Sequence, residues 1–332
     1  MPLTEAELLD IQADTMADDV LIDLELMSCW SLDDATKHFE SGGAWVPPAP
    51  TVSFTAPFTK GSQPTGTTPW LACLEKKAGA KYRLVVFSWT GNRGGQGSAH
   101  NLRRAPCNWS AEAGAACEVY EVPLPGRGTR MKDPRFTSTE ALVKDCAKAL
   151  ADALNDGLPY AFVGFSFGAI IAWEVAIAIA AATPGQGPAF LCPVSAEGPA
   201  WTGRAGKLHA SGEPEFKKVL KDKGGTDFIL RDEGMSKMYL PVIRDDLALE
   251  ETYTCQTGHI AAVPTTAVHG TKPGRDKETT KIAAQDAQLW VSATSAAASK
   301  VVSLEQCDWY VLQDEAGVKA VLSEVNGFMQ SL

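Results

Sequence analysis

The sequence predicts a doubly wound α/β fold: a mostly parallel sheet with helices on both faces, a helical insertion, and a helical extension at the N-terminus. Three observations predict it. From Lys81 onward, short apolar runs alternate with segments of helical period. The runs "YRLVVFSW" and "PYAFVGF" are continuously apolar, as in parallel strands covered on both faces. Between them lies "STEALVKDCAKALADALND", an amphipathic helix that starts at Ser138.

In order, the first core strand is "YRLVVFSW" and the second is "CEVYEVPL". The helix from Ser138 follows, then the strand "PYAFVGF". The segment Gly168 to Ala182 is Ala-rich and apolar but too short to cross a bilayer, so it reads as a buried helix. "PAFLCPVSA" is the fourth strand, and a charged helical insertion covers roughly residues 203 to 256. "VPTTAVHG" is the fifth strand, with a helix expected to about Ser299. "KVVSLE" is the sixth strand, and a last helix runs from about Glu315 to Met329.

Ahead of this domain (70–332) lie an acidic arm (1–43) and a linker (44–69) rich in proline and threonine. Thr4-Glu5-Ala6-Glu7 reads as a capping box, and Leu8, Leu9, Ile11, Met16, Val20, Leu21, Leu24 and Met27 give a helical stripe. Ser31 can cap a second short helix ending at Ser41-Gly42-Gly43. The net charge of −10 resides in the arm: residues 1–40 hold eleven acids and one base, and the rest of the chain is balanced. A neutral globule with an acidic arm is not a nucleic-acid binder. The acidic start lacks the basic and apolar regions of a secretory signal. The eight cysteines contain no C-x-x-C pair and read as reduced thiols of a cytoplasmic protein, with neither disulfides nor a metal site. No membrane association is expected.

The chemistry centres on Gly164-Phe165-Ser166-Phe167-Gly168, which fits G-x-S-x-G between an apolar strand and an apolar helix. There a serine stands on a turn too tight for a Cβ on the neighbouring glycines. The helix behind it offers the Phe167 amide and the positive end of its dipole to a developing oxyanion. A second oxyanion amide is expected from the glycine-rich loop "SWTGNRGGQGSAHN", at Thr90 or Gly91.

These residues resemble the type II thioesterases, α/β-hydrolases that remove acyl groups from polyketide and nonribosomal-peptide carrier proteins. "RLVVFSWTGN" stands where that family has a strand ending in F-P-x-A-G-G, and "CEVYEVPLPGRGTR" resembles its P-G-R-x-x-R strand. "FVGFSFGAIIAWEVA" resembles its G-H-S-M-G-A segment, and "YLPVIRDDLALEETY" its L-P-x-L-R-A-D helix with the following tyrosine. "VPTTAVHGTKPGRDKE" resembles P-x-x-x-x-x-G with a later aspartate, and "LWVSATS" the W-x-x-x-T helix. The matches run in order from Pro69 to Phe328. The resemblance implies an α/β-hydrolase fold with residues 203–256 as a lid. It further implies Ser166 as nucleophile, Asp276 as the orienting acid, and the amides of Thr90 and Phe167 as the oxyanion donors. It implies hydrolysis of acyl thioesters through an acyl-serine. The partner would be an acyl carrier protein with its phosphopantetheine arm, or acyl-CoA. No cofactor is expected, and the chain is expected to be a monomer.

One position departs from the family. Its histidine stands in G-G-H-F-F after the last strand, and here the stretch is "EQCDWYVLQD", with Asp308 in the histidine's place. The five histidines are His38, His100, His209, His259 and His269, so none follows the last strand. Three readings stay open. Another histidine, His269 or His100, serves as base, with Glu197 as its orienting acid. Asp308 is itself the base: a free aspartate holds its proton only near pH 3.9, but a neighbouring carboxylate such as Asp276 raises the upper pKa of the pair. Or hydrolysis is largely lost, and the protein is an acyl- or carrier-binding module or a serine acyltransferase. Trp89 and Trp309 flank the expected site and could shape an acyl pocket. Arg127 and Arg130 are read as salt-bridge residues, with contact to a pantetheine phosphate as the alternative. Arg244-Asp245-Asp246 reads as a network anchoring the insertion.

Overall fold

A computed structural model describes residues 68–75, 79–88, 117–223, 226–256, 261–272, 282–313 and 315–332. The expected arm and nearly all of the linker lie outside the described residues, as do Trp89, Thr90, His100, His259 and Asp276.

Seven strands form one sheet: β1 (Ala72–Glu75), β2 (Tyr82–Phe87), β3 (Cys117–Val122), β4 (Tyr160–Phe165), β5 (Phe190–Val194), β6 (Thr266–Gly270) and β7 (Lys300–Leu304), in the order β1-β3-β2-β4-β5-β6-β7. Strands β2 to β7 run parallel, and β1 adds an antiparallel edge on β3. The six parallel strands are those expected from the apolar runs. β1 was not expected, because four residues carry no readable period.

The central strands β2 to β6 are buried along their whole length, which accounts for their mostly apolar character, with Arg83, Glu118, Glu121 and His269 among the buried polar exceptions. On one face lie α1 (Thr139–Ala153), α2 (Phe167–Ala182) and α6 (Ala284–Ser292). Leu142, Leu150, Ile170, Trp173 and Trp290 fill that core. On the other face lies α7 (Glu315–Met329), whose Val318, Val321, Leu322 and Val325 cover Val163, Cys192 and Val268. The Ser138 hydroxyl caps α1 by accepting from the Ala141 amide at 3.2 Å. α6 ends at Ser292, earlier than expected, because Ala261 and Thr294 pair as an isolated bridge beyond it.

Between β5 and β6 stands the helical insertion: α3 (Glu213–Lys223), α4 (Asp227–Arg231) and α5 (Glu233–Thr252). It has its own small core of Phe216, Leu220, Ile229, Leu240, Ile243 and Leu247. It is tied to the sheet domain by Arg127, whose guanidinium donates two bonds of 2.6 Å to Asp246 of α5. Arg135 meets Asp245 at 2.5 Å, and the Thr139 hydroxyl donates to the Leu249 carbonyl at 3.1 Å. Arg244 donates to the carbonyls of His209 and Ser211 and lies over the Phe216 ring. The triplet Arg244-Asp245-Asp246 is thus an anchoring network, and Arg127 is consumed by it. Arg130 is held by Asp133 and stacks on Trp70. No helix among the described residues is long and apolar enough to cross a membrane.

Candidate active site

Ser166 stands between β4 and α2 with φ 54° and ψ −131°, a conformation that side-chain-bearing residues rarely adopt. Packing holds it there. A Cβ on Gly164 would lie 2.4 Å from the Ala169 Cα, and one on Gly168 would lie 2.3 Å from the Ser88 carbonyl oxygen. Only glycine lets the helix descend this closely onto β4 and the end of β2. The Ser166 amide donates to the Val194 carbonyl at 3.0 Å, so the bend is pinned to β5. Ser166 is half-buried. Phe167 is the first residue of α2, whose leading amides have no partner inside the helix. That amide therefore has no partner within the helix.

Loops from three other strands reach this edge of the sheet. After β7, the turn Glu305–Tyr310 lies on the end of β6. A Cβ on Gly270 would meet the Asp308 carbonyl oxygen at 1.9 Å and that of Cys307 at 2.4 Å. Lys272 donates its amide to the Cys307 carbonyl at 2.9 Å, and Thr271 to that of Leu304 at 3.0 Å. Trp309 packs edge-on against Phe165, the residue before Ser166, with centroids 4.8 Å apart. The Asp308 loop therefore lies against the turn at Ser166. Asp308 is half-buried, and its Oδ1 accepts the Tyr310 amide at 2.8 Å, which closes the turn.

After β5, Glu197 is half-buried, and its pKa is raised by burial, opposed by Arg204 and reinforced by Glu250 and Asp286. Arg204 donates to the carbonyls of Glu197, Gly198, Pro199 and Trp201, and so fixes this loop. Following α5, the Tyr253 hydroxyl donates to Glu174 of α2 at 2.6 Å, and its ring lies 6.3 Å from that of Phe167. Burial, with the Glu174 carboxylate beside it, pushes this phenol far up, so it remains a donor. His209 belongs to the insertion, with Nδ1 2.5 Å from Glu251.

His269 is the next-to-last residue of β6 and is 2 % exposed. Its Nε2 lies 2.8 Å from the Ser303 hydroxyl, and its Nδ1 has no hydrogen-bond partner among the described residues. Burial lowers its pKa, partly opposed by the backbone of Gly270. The sequence reading did not single out Ser195. This residue follows β5 with φ 49°, is 1 % exposed, and its hydroxyl likewise lacks a partner. Its only sequence signal was a polar residue closing an apolar strand. Of the expected residues, Ser166, Phe167 and the Asp308 loop come together, while Glu197 and His269 lie at the same edge on neighbouring strands.

Residues 105–328 match the family described as thioesterase domain. A linear gramicidin dehydrogenase of Brevibacillus parabrevis is 28 % identical over 214 residues, which is 63 % of this chain and 77 % of that protein. The medium-chain S-acyl fatty acid synthase thioesterase of Homo sapiens is 28 % identical over 253 residues, 75 % of this chain and 88 % of that protein. Among solved structures, the type II thioesterase YbtT of a yersiniabactin biosynthetic pathway superposes with a TM-score of 0.62. It is 18 % identical and covers 79 % of this chain and 98 % of its own, a likeness of fold. With a serine elbow on a mostly parallel α/β sheet, and with the family match spanning most of that sheet, the chain belongs to the thioesterase domain family and is a hydrolase of that class.

Proposed function

We propose that this protein hydrolyses acyl thioesters through an acyl-Ser166 intermediate. The acyl group arrives on the phosphopantetheine arm of a carrier protein or on coenzyme A. One observation carries the reading: a serine held at φ 54° between a buried strand and a buried helix, with glycines wherever a Cβ would collide. Strain of this kind persists only where the surroundings impose it, and here it seats a serine at the N-terminus of α2.

The roles follow from the elbow. Ser166 Oγ attacks the thioester carbonyl, and the Phe167 amide, with that of Thr90, receives the oxyanion. The thiol of the arm or of coenzyme A leaves, and water releases the acid. Asp308 takes the seat of the family's histidine, with Asp276 as its carboxylate neighbour. The insertion α3–α5 acts as a lid over the acyl chain, and Trp309 walls the pocket beside Phe165. The protein works as a monomer in the cytoplasm without a cofactor.

The test is turnover of short acyl-CoA and acyl-pantetheine thioesters by the full chain. Hydrolysis that Ser166→Ala removes supports the reading. Acyl or carrier binding without turnover, unchanged in Ser166→Ala, would instead make the protein a binding module. Appearance of the acyl group on a non-water acceptor would make it a transferase.

A further inference from the structure

The helix behind Ser166 is apolar except at one position. Of the sixteen residues of α2, Glu174 alone is charged, and it is half-buried. A carboxylate leaves water at a cost that a donor must offset. One such donor is the Tyr253 hydroxyl, 2.6 Å from Glu174 Oε1, a length typical of a bond to a charged oxygen.

Tyr253 is the residue at which α5 ends. Its backbone is extended, with φ −63° and ψ 133°, and its amide donates to the Glu250 carbonyl at 3.3 Å. It therefore marks the exit of the insertion. Its hydroxyl also lies beside the Cys255 thiol. Its ring has two neighbours of its own: the Phe167 ring, edge-on with centroids 6.3 Å apart, and the Arg204 guanidinium, 5.7 Å from the ring centre. Arg204 stands at the entry of the insertion, where it holds the carbonyls of Glu197, Gly198, Pro199 and Trp201. Entry and exit of the insertion thus meet on one tyrosine.

Phe167 and Glu174 are seven residues apart, close to two full turns, so they share one stripe of α2. Tyr253 contacts both ends of that stripe, the first with its ring and the second with its hydroxyl. Apolar packing is non-directional, whereas a hydrogen bond to a carboxylate fixes one register.

We propose that Tyr253 is a positioning residue for the hydrolase reaction: through Glu174 and the Phe167 ring it sets the first two turns of α2, and with them Ser166 and the Phe167 amide, against the seated insertion. This rests on the acyl-serine reading above. Tyr253 acts through α2 and not on the substrate. An oxyanion donor slightly out of place still admits the substrate but holds the oxyanion poorly. The loss therefore falls on kcat and leaves KM nearly unchanged.

The experiment measures kcat and KM for hexanoyl-CoA, and the rate of Ser166 labelling by a fluorophosphonate, in the full chain and in Ser166→Ala, Tyr253→Phe, Glu174→Gln, Glu174→Leu and the double variant Tyr253→Phe with Glu174→Leu. Phenylalanine keeps the ring and removes the bond, whereas glutamine keeps an oxygen that accepts from the phenol. Tyr253→Phe and Glu174→Leu are each expected to lower kcat about 10-fold or more, with KM within about twofold and labelling slowed in proportion. Glu174→Gln is expected within about threefold of the wild type, and the double variant no lower than the worse single, because both changes remove one bond.

If Ser166-dependent turnover persists and Tyr253→Phe keeps the wild-type kcat, or the two single losses multiply in the double variant, the positioning role is wrong and the acyl-serine reading stands. A raised KM with kcat unaltered also overturns it, since Tyr253 would then be a wall of the substrate site. If the wild type shows no Ser166-dependent turnover, both fall. If Glu174→Leu does not fold, the other two decide: a loss in Tyr253→Phe that Glu174→Gln escapes upholds the role, and equal rates in the two overturn it.

Discussion

Replacing Asp246 with asparagine isolates the contact that fastens the helical insertion to the sheet. Arg127 and Asp246 side chains are 2 % and 6 % exposed and share two bonds of 2.6 Å. Asparagine keeps the shape but leaves a buried guanidinium without its counter-charge, which costs about 3–5 kcal/mol. With an unfolding entropy of about 2.1 cal/mol/K per residue over residues 68–332, that lowers Tm by about 5–9 °C. Removing both charges, as in Arg127→Met with Asp246→Leu, is nearly neutral for such pairs because neither desolvation cost remains. Differential scanning calorimetry on Asp246→Asn, on Arg127→Met and Asp246→Leu singly, and on their double variant measures all four values. The expected pattern is large single losses and a double variant close to wild type. Single losses within about 1 °C of zero, or a double loss equal to their sum, would show that the pair neither bears charge in isolation nor couples the two units.

Three further outcomes are expected. Ser166→Gly relieves a strained backbone, so it raises stability by about 1–3 kcal/mol while removing turnover; a lower Tm in this variant would deny the strain. Because burial lowers the pKa of His269, the unfolded chain binds a proton more readily than the folded one. Its contribution to stability is complete above about pH 6.5 and is lost as pH falls below that value, so His269→Gln should flatten the decline of Tm between pH 7 and 5. An unchanged slope would mean the imidazole is not held neutral by burial. On the proposal that Asp308 stands in the base's place, Asp308→His should raise thioester hydrolysis by about 10-fold or more. An unaltered rate would mean that the turn after β7 does not present this side chain to Ser166.

Much of the fold was legible because burial writes itself into composition. β4 is apolar on both faces, and so is α2 after it, and the single polar residue between them had to be a turn. The bounds of α7 were readable from its period, whereas α6 was overrun because Ala293 to Ser299 is Ala- and Ser-rich without a stop signal. The elbow itself was legible for a steric reason: Gly164 and Gly168 are glycines because backbone atoms lie within 2.4 Å of where a Cβ would be. What the sequence could not supply was register. His269 and Ser303 lie far apart along the chain, and only the pairing of β6 and β7 brings them together. The fate of Arg127 was equally hidden, since its partner stands 119 positions away in the insertion.

The most direct test of the central claim is to trap the acyl-enzyme. The full chain is mixed with hexanoyl-CoA, quenched in acid within seconds, digested and analysed by tandem mass spectrometry. Ser166 chemistry predicts one hexanoyl group, located on the peptide containing Ser166 and absent from Ser166→Ala. A hexanoyl group on a cysteine or another serine, or its persistence in Ser166→Ala, would contradict it.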